Sequence, residues 1–430
     1  MAQAPQTFIH KKKLDMLATA IRDNMPYVRA SEQKYPQSEL KGKKYGAEVN
    51  VYLTDAGTVS DGIVANPDNV HEIMLTAYMQ NKNTAVETDI WEDYNDIESF
   101  AKEVLKPRAL KLARTIEKDV IDHNILRGMQ AVAVPKTSVA LDGASFDFLS
   151  QAATKLDELS VTGRKVDFQS PSVYAKIAST GLAKFLPDDI QRDIYRNKYL
   201  GEYAGASCVE QALLPTVSLS SNAADAPTIE FKPVKESING VSTIVGYTVE
   251  TTLTANSTKA LEEGAAYVVP GVYLLDESGM ETDQPLVVIV HKVISGTNKG
   301  TLTESLGIED IRLTAKGFSE GTPNCWCDPD TFDSTSTTTT VTCSFIPGMA
   351  ANKKYIVGQC RIDDALVFDS YSFSDLPSSR QENVGNEGPI TLKAMAFGDG
   401  KQGVQMTRID APYLATMWEP RRSVVTFVEA

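Results

Sequence analysis

The sequence has 430 residues, of which 42% are hydrophobic and 23% are charged, and its formal net charge is −14. This length predicts two or three globular domains with a large core. The acidic balance excludes a protein that binds nucleic acid over its whole surface, because phosphate contacts need clustered lysine and arginine. We expect no membrane-spanning segment and no exported protein, since the sequence lacks a long apolar run and the first 20 residues lack the apolar centre of a secretory signal.

The N-terminal segment is basic, although the chain as a whole is acidic. From His10 to Lys44, nine basic residues stand against four acidic ones, and the run Lys11, Lys12 and Lys13 opens this segment. An amphipathic helix is predicted over Leu14–Met25 and is expected to stop before Pro26. Both a solvated arm and a contact surface for an acidic partner fit this pattern.

Next, the hydrophobic period changes to two, which is typical of strands. Apolar residues alternate from Ala47 to Leu53 and, after a turn-rich stretch, again at Ile73, Leu75, Ala77 and Met79. This pattern predicts a long two-stranded excursion. Because an isolated hairpin is marginal in water, its apolar positions should be covered by a neighbouring part of the chain or by another subunit.

A long helix is predicted from Asn95 to Gly128. Asn95 and Glu98 form a capping-box pattern, and Gly128 is expected to be the residue just after the helix end. Pro107 indicates a kink, or else the start of a second helix at Lys106. One face is predicted to be apolar and the other polar, as follows: Ile97, Phe100, Val104, Leu105, Leu112, Ile116, Val120 and Ile125 on the first, and Glu103, Lys106, Lys111, Arg114, Glu117, Lys118 and Asp122 on the second.

The remaining chain reads as a mixed α+β body interrupted by a β-rich stretch. Helices are predicted at Asp147–Leu159 and from Pro171 to Ile177, with a short strand or turn region at Ala131–Val139 and a strand at Val166–Phe168. From Thr216 to Cys343 the helical period disappears. Strands are predicted there at Thr243–Thr252, Ala265–Leu275, Leu286–Ile294, Asp310–Ala315 and Thr337–Phe345, and beyond them a hairpin at Ile390–Phe397 and Val404–Ile409 and a closing strand at Ser423–Val428.

No constellation of residues indicates catalysis or cofactor binding. The histidines His10, His71, His123 and His291 are isolated in sequence, and Cys325, Cys327 and Cys343 supply only three thiols without a fourth metal ligand. The glycines from Gly398 to Gly403 lack the context of a phosphate loop. We therefore predict no catalytic, cofactor-binding or metal site, no cofactor, and no enzyme.

In the order and length of these elements, the chain resembles the major capsid proteins of tailed double-stranded-DNA bacteriophages. The stretch from Asn50 to Val120, which includes Asp89-Ile-Trp-Glu-Asp-Tyr-Asn-Asp96, and the closing Arg408-Ile-Asp410, Tyr413 and Pro420 carry the resemblance. It implies a Hong Kong 97-like α+β fold with an inserted all-β, barrel-like domain, most similar to the coat proteins of short-tailed Salmonella phages. The basic arm departs from relatives in which acidic residues are thought to meet a basic scaffolding protein.

The resemblance also implies a domain organisation. This is an N-terminal arm at 1–39, an extended loop at 40–92, a spine helix and peripheral domain at 93–144 completed by about 385–410, an axial domain at 145–224 completed by about 346–384 and 411–430, and an inserted domain at 225–345. We predict that the inserted domain folds separately, since turn-prone residues bound it.

As for function, the resemblance implies a structural protein that assembles into an icosahedral shell of pentamers and hexamers around packaged DNA, which would be only non-specific contents. A scaffolding protein and a portal are the implied assembly partners, and the virion, formed in the host bacterial cytoplasm, is the implied location. Ile73, Leu75, Lys11, Lys12 and Lys13 are the predicted assembly contacts. Two alternatives stay open: an encapsulin-like nanocompartment shell, and a β-rich surface adhesin or binding protein.

Overall fold

The computed structural model describes residues 24–32, 46–54, 72–89, 106–136, 144–179, 201–238, 241–254, 260–291, 311–316, 322–328, 338–370, 380–384, 392–399 and 404–430. The chain divides into two compact units. The first comprises Met1–Val51, Leu75–Ile121 and Leu366–Trp418, and the second comprises Tyr52–Met74, Asp122–Ala365 and Glu419–Ala430.

In the described residues the α-helices are α1 (Pro26–Arg29), α2 (Lys106–Asn124), α3 (Ala144–Glu158) and α4 (Pro171–Ser179). The strands up to the middle of the chain are β1 (Glu48–Thr54), β2 (Glu72–Tyr78), β3 (Gln80–Asp89), β4 (Gln130–Val134), β5 (Lys165–Gln169), β6 (Glu202–Tyr203), β7 (Ala206–Glu210), β8 (Thr216–Ser218), β9 (Thr228–Ile238), β10 (Val241–Thr254) and β11 (Ala266–Leu275). The later strands are β12 (Glu281–Ile289), β13 (Leu313–Ala315), β14 (Cys325–Cys327), β15 (Thr339–Thr342), β16 (Ser344–Phe345), β17 (Lys354–Ile362), β18 (Leu366–Ser370), β19 (Arg380–Val384), β20 (Leu392–Asp399), β21 (Val404–Met417) and β22 (Ser423–Glu429).

The first unit contains a five-stranded sheet in the order β18-β21-β20-β19, with β3 also paired to β21. The predicted hairpin is confirmed, because β20 and β21 pair antiparallel up to Asp399 and Val404. Strand β3 was not predicted, and it pairs with β21 from Val404–Asp89 to Tyr413–Gln80. The residues of β3 are largely polar and show no hydrophobic period. They form a strand because they pair with β21, which is more than 300 residues away in the chain.

Strands β1 and β2 form a two-stranded sheet, as the period of two predicted. At its base, Val49, Ala77 and Met79 are buried in one cluster with Leu414, and Ala47 packs against that cluster. The amide of Gly46 donates to the carbonyl of Met79 (2.9 Å), which ties the two segments together. The base of the excursion is therefore covered by this chain's own β21.

The predicted apolar face of the long helix is confirmed where the structure describes it, since Leu112, Ile116, Val120 and Ile125 are all buried. Residues 95–105 lie outside the described residues. The choice between a kinked helix and a second helix that starts at Lys106 therefore also lies outside them. The predicted helix end at Gly128 is wrong, because α2 ends at Asn124. A side chain at Gly128 would come within 3.0 Å of the Ser423 carbonyl oxygen, so this glycine permits close approach of β22.

The predicted helix Leu14–Met25 lies almost entirely outside the described residues, and Pro26 begins the helical turn α1, as suits a residue whose missing N–H is not needed there. One further prediction about local structure is wrong. Glu117 was predicted on the polar face, but its side chain is only 2% exposed. It accepts a hydrogen bond from the backbone amide of Tyr27 (2.8 Å), which lies in the first turn of α1. Glu117 thus satisfies a helix-end donor that Met25, at the N-cap, leaves without a side-chain partner.

The second unit contains a seven-stranded sheet in the order β4-β22-β17-β5-β7-β6, with β8 also paired to β17. The closing strand β22 lies between β4, to which it is parallel, and β17, to which it is antiparallel. Helices α3 and α4 confirm the predicted helices in this region, and both bury apolar side chains in one cluster with this sheet, namely Leu149, Ala152, Leu156, Val173, Tyr174 and Ile177 with Val132, Val134 and Val424.

An eight-stranded sheet, also in the second unit, contains all strands from β9 to β16. Its hydrogen-bonded order is β12-β11-β14-β13-β10-β9-β15, and β16 pairs back to β11. Since β15 and β16 follow one another in the chain, pairing runs around a closed ring, as in a barrel. Strand β12 begins at Glu281, earlier than the predicted Leu286, and β9 and β14 were not predicted. The strands of this ring lie within the predicted inserted stretch.

The buried face of α2 generates a stability prediction. Leu112→Ala or Ile116→Ala should lower the free energy of unfolding by about 2–5 kcal/mol, because each removes a buried side chain and leaves a cavity. Thermal and denaturant unfolding of the unassembled protein measure this loss. Lys111→Ala, on the exposed face of the same helix, is the matched control and should change stability by no more than about 0.5 kcal/mol. Equal stability of all three variants would mean that this face is not buried in the folded subunit.

Candidate functional site

Of the predicted assembly residues, the structure describes only the backbone of Ile73 and Leu75. Ile73 and Leu75 lie in β2, and their side chains are outside the described residues. Lys11, Lys12 and Lys13 also lie outside the described residues. The structure therefore confirms a strand at Ile73 and Leu75 and does not test the proposed contacts.

The β1–β2 sheet carries two exposed aromatic side chains that sequence reasoning did not single out. Tyr52 on β1 is 54% exposed and Tyr78 on β2 is 57% exposed. On β2, Tyr78 alternates with the buried Ala77 and Met79, as the pleat of a strand requires. The period of two could have found it, because the positions between the apolar residues of a strand point away from the core. Large exposed aromatic side chains are enriched at protein–protein contacts.

A cluster of polar side chains lies along α2 in the first unit. Asp119 accepts from Lys82 Nζ on β3 (3.1 Å) and from the hydroxyl of Tyr413, which in turn lies 3.0 Å from Gln80 Oε1. On the neighbouring strands, Asn81 Nδ2 donates to the buried Asp410 Oδ1 (2.9 Å). These contacts join α2, β3 and β21 through polar groups as well as through packing, and they were not predictable from local spacing.

In the second unit, a short turn at Glu419–Arg422 joins several elements. The side chain of Glu419 is 2% exposed and accepts from Arg421 Nε (3.1 Å) and Arg312 Nη2 (3.2 Å). Arg421 also donates to the backbone carbonyl of Asp276 (2.8 Å), in the turn between β11 and β12. Although burial acts to raise it, the two guanidinium groups hold the pKa of Glu419 below its usual value.

Arg422 extends this turn to two more elements. It forms ion pairs with Asp364 Oδ2 (2.6 Å), which follows β17, and with Glu277. Glu277 also accepts from the amide of Thr162 (2.9 Å), which follows α3. We call the turn Glu419–Arg422 with these partners the arginine hub. It connects the β9–β16 ring to the seven-stranded sheet within the second unit.

A buried carboxylic acid lies inside the seven-stranded sheet. Asp167 on β5 is 2% exposed, and it accepts from Gln169 Nε2 (2.9 Å) and from the Tyr174 hydroxyl (3.1 Å). Burial raises the pKa of Asp167 to about 7, an effect that these two hydrogen bonds oppose. Gly358 leaves room for Gln169, since a side chain there would clash with Gln169 Oε1.

His291, Cys325, Cys327 and Cys343 are buried in the fold. His291 Nε2 lies 2.6 Å from the Leu126 carbonyl oxygen, and burial lowers the pKa of its imidazole to about 3. Burial raises the pKa of the Cys325, Cys327 and Cys343 thiols to about 12, so they are unreactive at neutral pH. Within the described ranges, no group of three or more potential ligands could hold a metal ion, and no helix could cross a membrane.

No model of a known protein family matches this chain, and no curated protein is similar to it. Solved structures do match. A structure from Mycobacterium phage Che8 is 12% identical with a TM-score of 0.43, and the match covers 94% of this chain and 90% of that chain. The mature capsid of bacteriophage PhiM1 is 8% identical with a TM-score of 0.44, covering 93% and 86%.

The capsid of cyanophage P-SCSP1u is similar as well, at 10% identity and a TM-score of 0.40, with 93% of this chain and 89% of that chain covered. Bacteriophage capsids are the class of protein that the sequence resembles. Because these TM-scores lie below 0.5, we infer the function from the elements and residues of this chain.

The arginine hub generates a prediction about stability and pH. Glu419→Gln should lower the free energy of unfolding by roughly 3 kcal/mol, because Arg421 and Arg312 would lose a buried counter-charge. A carboxylate with a lowered pKa stabilises the fold above its unfolded pKa, near 4.3, and this contribution is lost as pH falls through the folded pKa. The variant should therefore lose less stability than the wild type on acidification, as measured by denaturant unfolding between pH 7 and pH 3.

The control for this experiment is Asp328→Asn, which removes the more exposed ion pair with Lys316 (3.6 Å). Exposed pairs contribute about 0–1 kcal/mol, so this variant should unfold almost like the wild type. Equal effects of the two substitutions would contradict a special role for the hub.

The buried Asp167 generates a prediction of opposite sign. Its folded pKa of about 7 lies above the unfolded value, so its stabilising contribution is full below about pH 4 and is lost as pH rises through about 7. Asp167→Asn should be more stable than the wild type at pH 8, by at most about 4 kcal/mol, and should flatten the stability profile between pH 4 and 7. Unfolding curves across this range measure it, with the exposed Glu158→Gln as control. A profile unchanged by Asp167→Asn would mean that this carboxyl is ionised in the fold.

Proposed function

We propose that this chain is a structural shell protein of a bacteriophage capsid and has no catalytic role. The order of its elements supports the proposal: a two-stranded excursion, a long helix, a mixed sheet, a closed β ring between Thr228 and Phe345, and returning strands that complete both main sheets. This order follows the one that the sequence resemblance implies.

In finer detail, we propose that copies of the chain assemble as pentamers and hexamers into an icosahedral shell around double-stranded DNA, in the host bacterial cytoplasm, with a scaffolding protein and a portal as partners. We keep the domain division given above as part of the proposal, including the inserted domain at 225–345. The closed pairing of β9–β16 supports it, since a ring of strands leaves few edges that need other partners.

The test of this function is imaging of the purified protein by electron microscopy, alone and co-expressed with its neighbouring genes. Closed shells of uniform size are expected. Shells that form without any virus-related neighbour and enclose a protein would indicate a nanocompartment. A monomer that persists under all conditions would contradict the shell proposal.

The extended β1–β2 sheet gives a residue-level prediction of assembly. Ile73→Asp with Leu75→Asp should leave a folded monomer that forms no shells, because the far end of the excursion should be covered by another subunit. Sedimentation and circular dichroism measure assembly and folding in parallel. If this double variant instead aggregates with loss of secondary structure, the two residues belong to the subunit core.

The same sheet also offers matched variants. Tyr52→Ser with Tyr78→Ser removes exposed aromatic area and should reduce assembly at an unchanged melting temperature. Met79→Ala removes a buried side chain at the base and should lower the melting temperature of the monomer itself.

A further inference from the structure

The exposed face of α2 is more basic than its sequence indicates. Its carboxylates Glu117 and Asp119 are engaged with Tyr27 and Lys82, as described above, which leaves Asp122 as the exposed carboxylate of the described helix. Five exposed cations share this helix: Lys106, Arg108, Lys111, Arg114 and Lys118. We call these five residues the basic stripe.

The stripe concentrates like charges at close spacing. Lys111, Arg114 and Lys118 stand at i, i+3 and i+7 on one face, and such neighbours of the same sign destabilise a helix by about 0.2–0.5 kcal/mol per pair. Among the residues that the structure describes, none of the five cations forms an ion pair with a carboxylate. Arg108 donates to the backbone carbonyl of Ala85 (2.6 Å). An external anion would relieve this repulsion.

The chemistry of the stripe favours phosphate over a protein partner. Stable protein–protein interfaces centre on buried apolar or aromatic anchors, and lysine is depleted from them. The other exposed residues of α2 before Lys118 are Pro107 and Thr115, so the stripe offers no such anchor. Phosphate backbones, by contrast, are bound by lysine and arginine without apolar contact.

The dimensions also fit a duplex. From Lys106 to Lys118 the helix rises about 18 Å. A DNA duplex of that length carries about ten negative charges, one for each 1.7 Å of axis. The protein as a whole has a net charge of −14, so the stripe, like the basic N-terminal segment, is a local exception on a chain whose overall charge repels nucleic acid.

We propose that the basic stripe on α2 is a sequence-independent binding site for the phosphate backbone of double-stranded DNA. The inference goes beyond the proposed shell function and rests on it only for the source of the DNA. It modifies the expectation that packaged DNA is merely enclosed, since this helix would hold it by charge.

The experiment uses full-length, unassembled protein and a fluorescein-labelled 30-base-pair duplex of arbitrary sequence, with binding followed by fluorescence anisotropy from about 50 to 200 mM salt. The variant K111Q/R114Q/K118Q keeps good helix formers at each position. We expect its Kd to rise at least about tenfold at low salt, and the slope of log K against log salt to fall by about 2.7, or 0.9 per lost contact. Its melting temperature should not fall.

Two matched variants sharpen the test. K232Q/K235Q/K354Q removes three exposed lysines from β9 and β17 and should change Kd less than about twofold. K111R/R114K/K118R keeps the charges and should bind like the wild type. If K111Q/R114Q/K118Q melts early, the single variants R114Q and K118Q replace it, each with a slope lowered by about 0.9.

Three outcomes would overturn the proposal: equal duplex binding by wild type and K111Q/R114Q/K118Q, equal losses in the stripe and control variants, or wild-type binding to poly-glutamate but not to duplex, which would assign the stripe to an acidic protein partner. The two proposals fail separately. Shells with stripe-independent DNA binding would refute only this inference, and stripe-dependent binding by a protein that never forms shells would refute only the shell function.

Discussion

Glu117 and Asp119 flank the apolar stripe of α2, and their inward hydrogen bonds shape both sides of this helix. Inside, Glu117 satisfies the first turn of α1, and Asp119 binds Lys82 and Tyr413 of the sheet. On the exposed face of α2, five cations remain, while these two carboxylates are directed inward and paired. A buried carboxylate needs hydrogen-bond donors to offset its desolvation, and here the backbone of α1 and a lysine on β3 provide them. Changing either carboxylate would therefore disturb the packing and the surface charge together.

The same dependence on distant partners holds for the sheets. Strand β3 is completed by β21, and β22 lies between β4 and β17, so each main sheet needs residues from widely separated parts of the chain. Such non-local pairing requires long loops to close before the contacts are gained, which makes folding slow. The arginine hub lies in the second unit, directly before β22. Its charged hydrogen bonds hold the start of β22 in place, in addition to the pairing and burial that fix the register of that strand.

Sequence reasoning succeeded where the signal is periodic and local. The helices near Asp147 and Pro171, the β20–β21 hairpin and the buried side of α2 all show a period that burial imposes, and the structure confirms them. It failed where contacts with distant parts of the chain determine a residue's surroundings. Glu117 has the spacing of a surface residue until the Tyr27 amide is brought to it, and Gly128 looks like a helix end until the backbone of Ser423 requires the space. The polar strand β3 and the three-residue β14 carry no period at all. The hub was invisible for the same reason, since its partners Arg312 and Asp276 are more than a hundred residues away from the turn in the chain.

Closure and attachment are distinct properties of the β9–β16 ring. Closure comes from within, because the segment from β15 to β16 pairs with β9 at one end and with β11 at the other. Attachment comes from outside, because Arg421 and Arg422 reach Asp276 and Glu277 in the turn after β11, and Glu419 accepts from Arg312 just before β13. The ring can therefore form a core of its own, while the hub and neutral contacts, such as the hydrogen bond from the Val287 amide to the Met129 carbonyl (3.0 Å), set its position in the second unit. Apolar packing weakens little as salt or acidity rises, whereas ion pairs are screened and protonated. Conditions that weaken the hub should thus loosen the attachment of the ring before they unfold it.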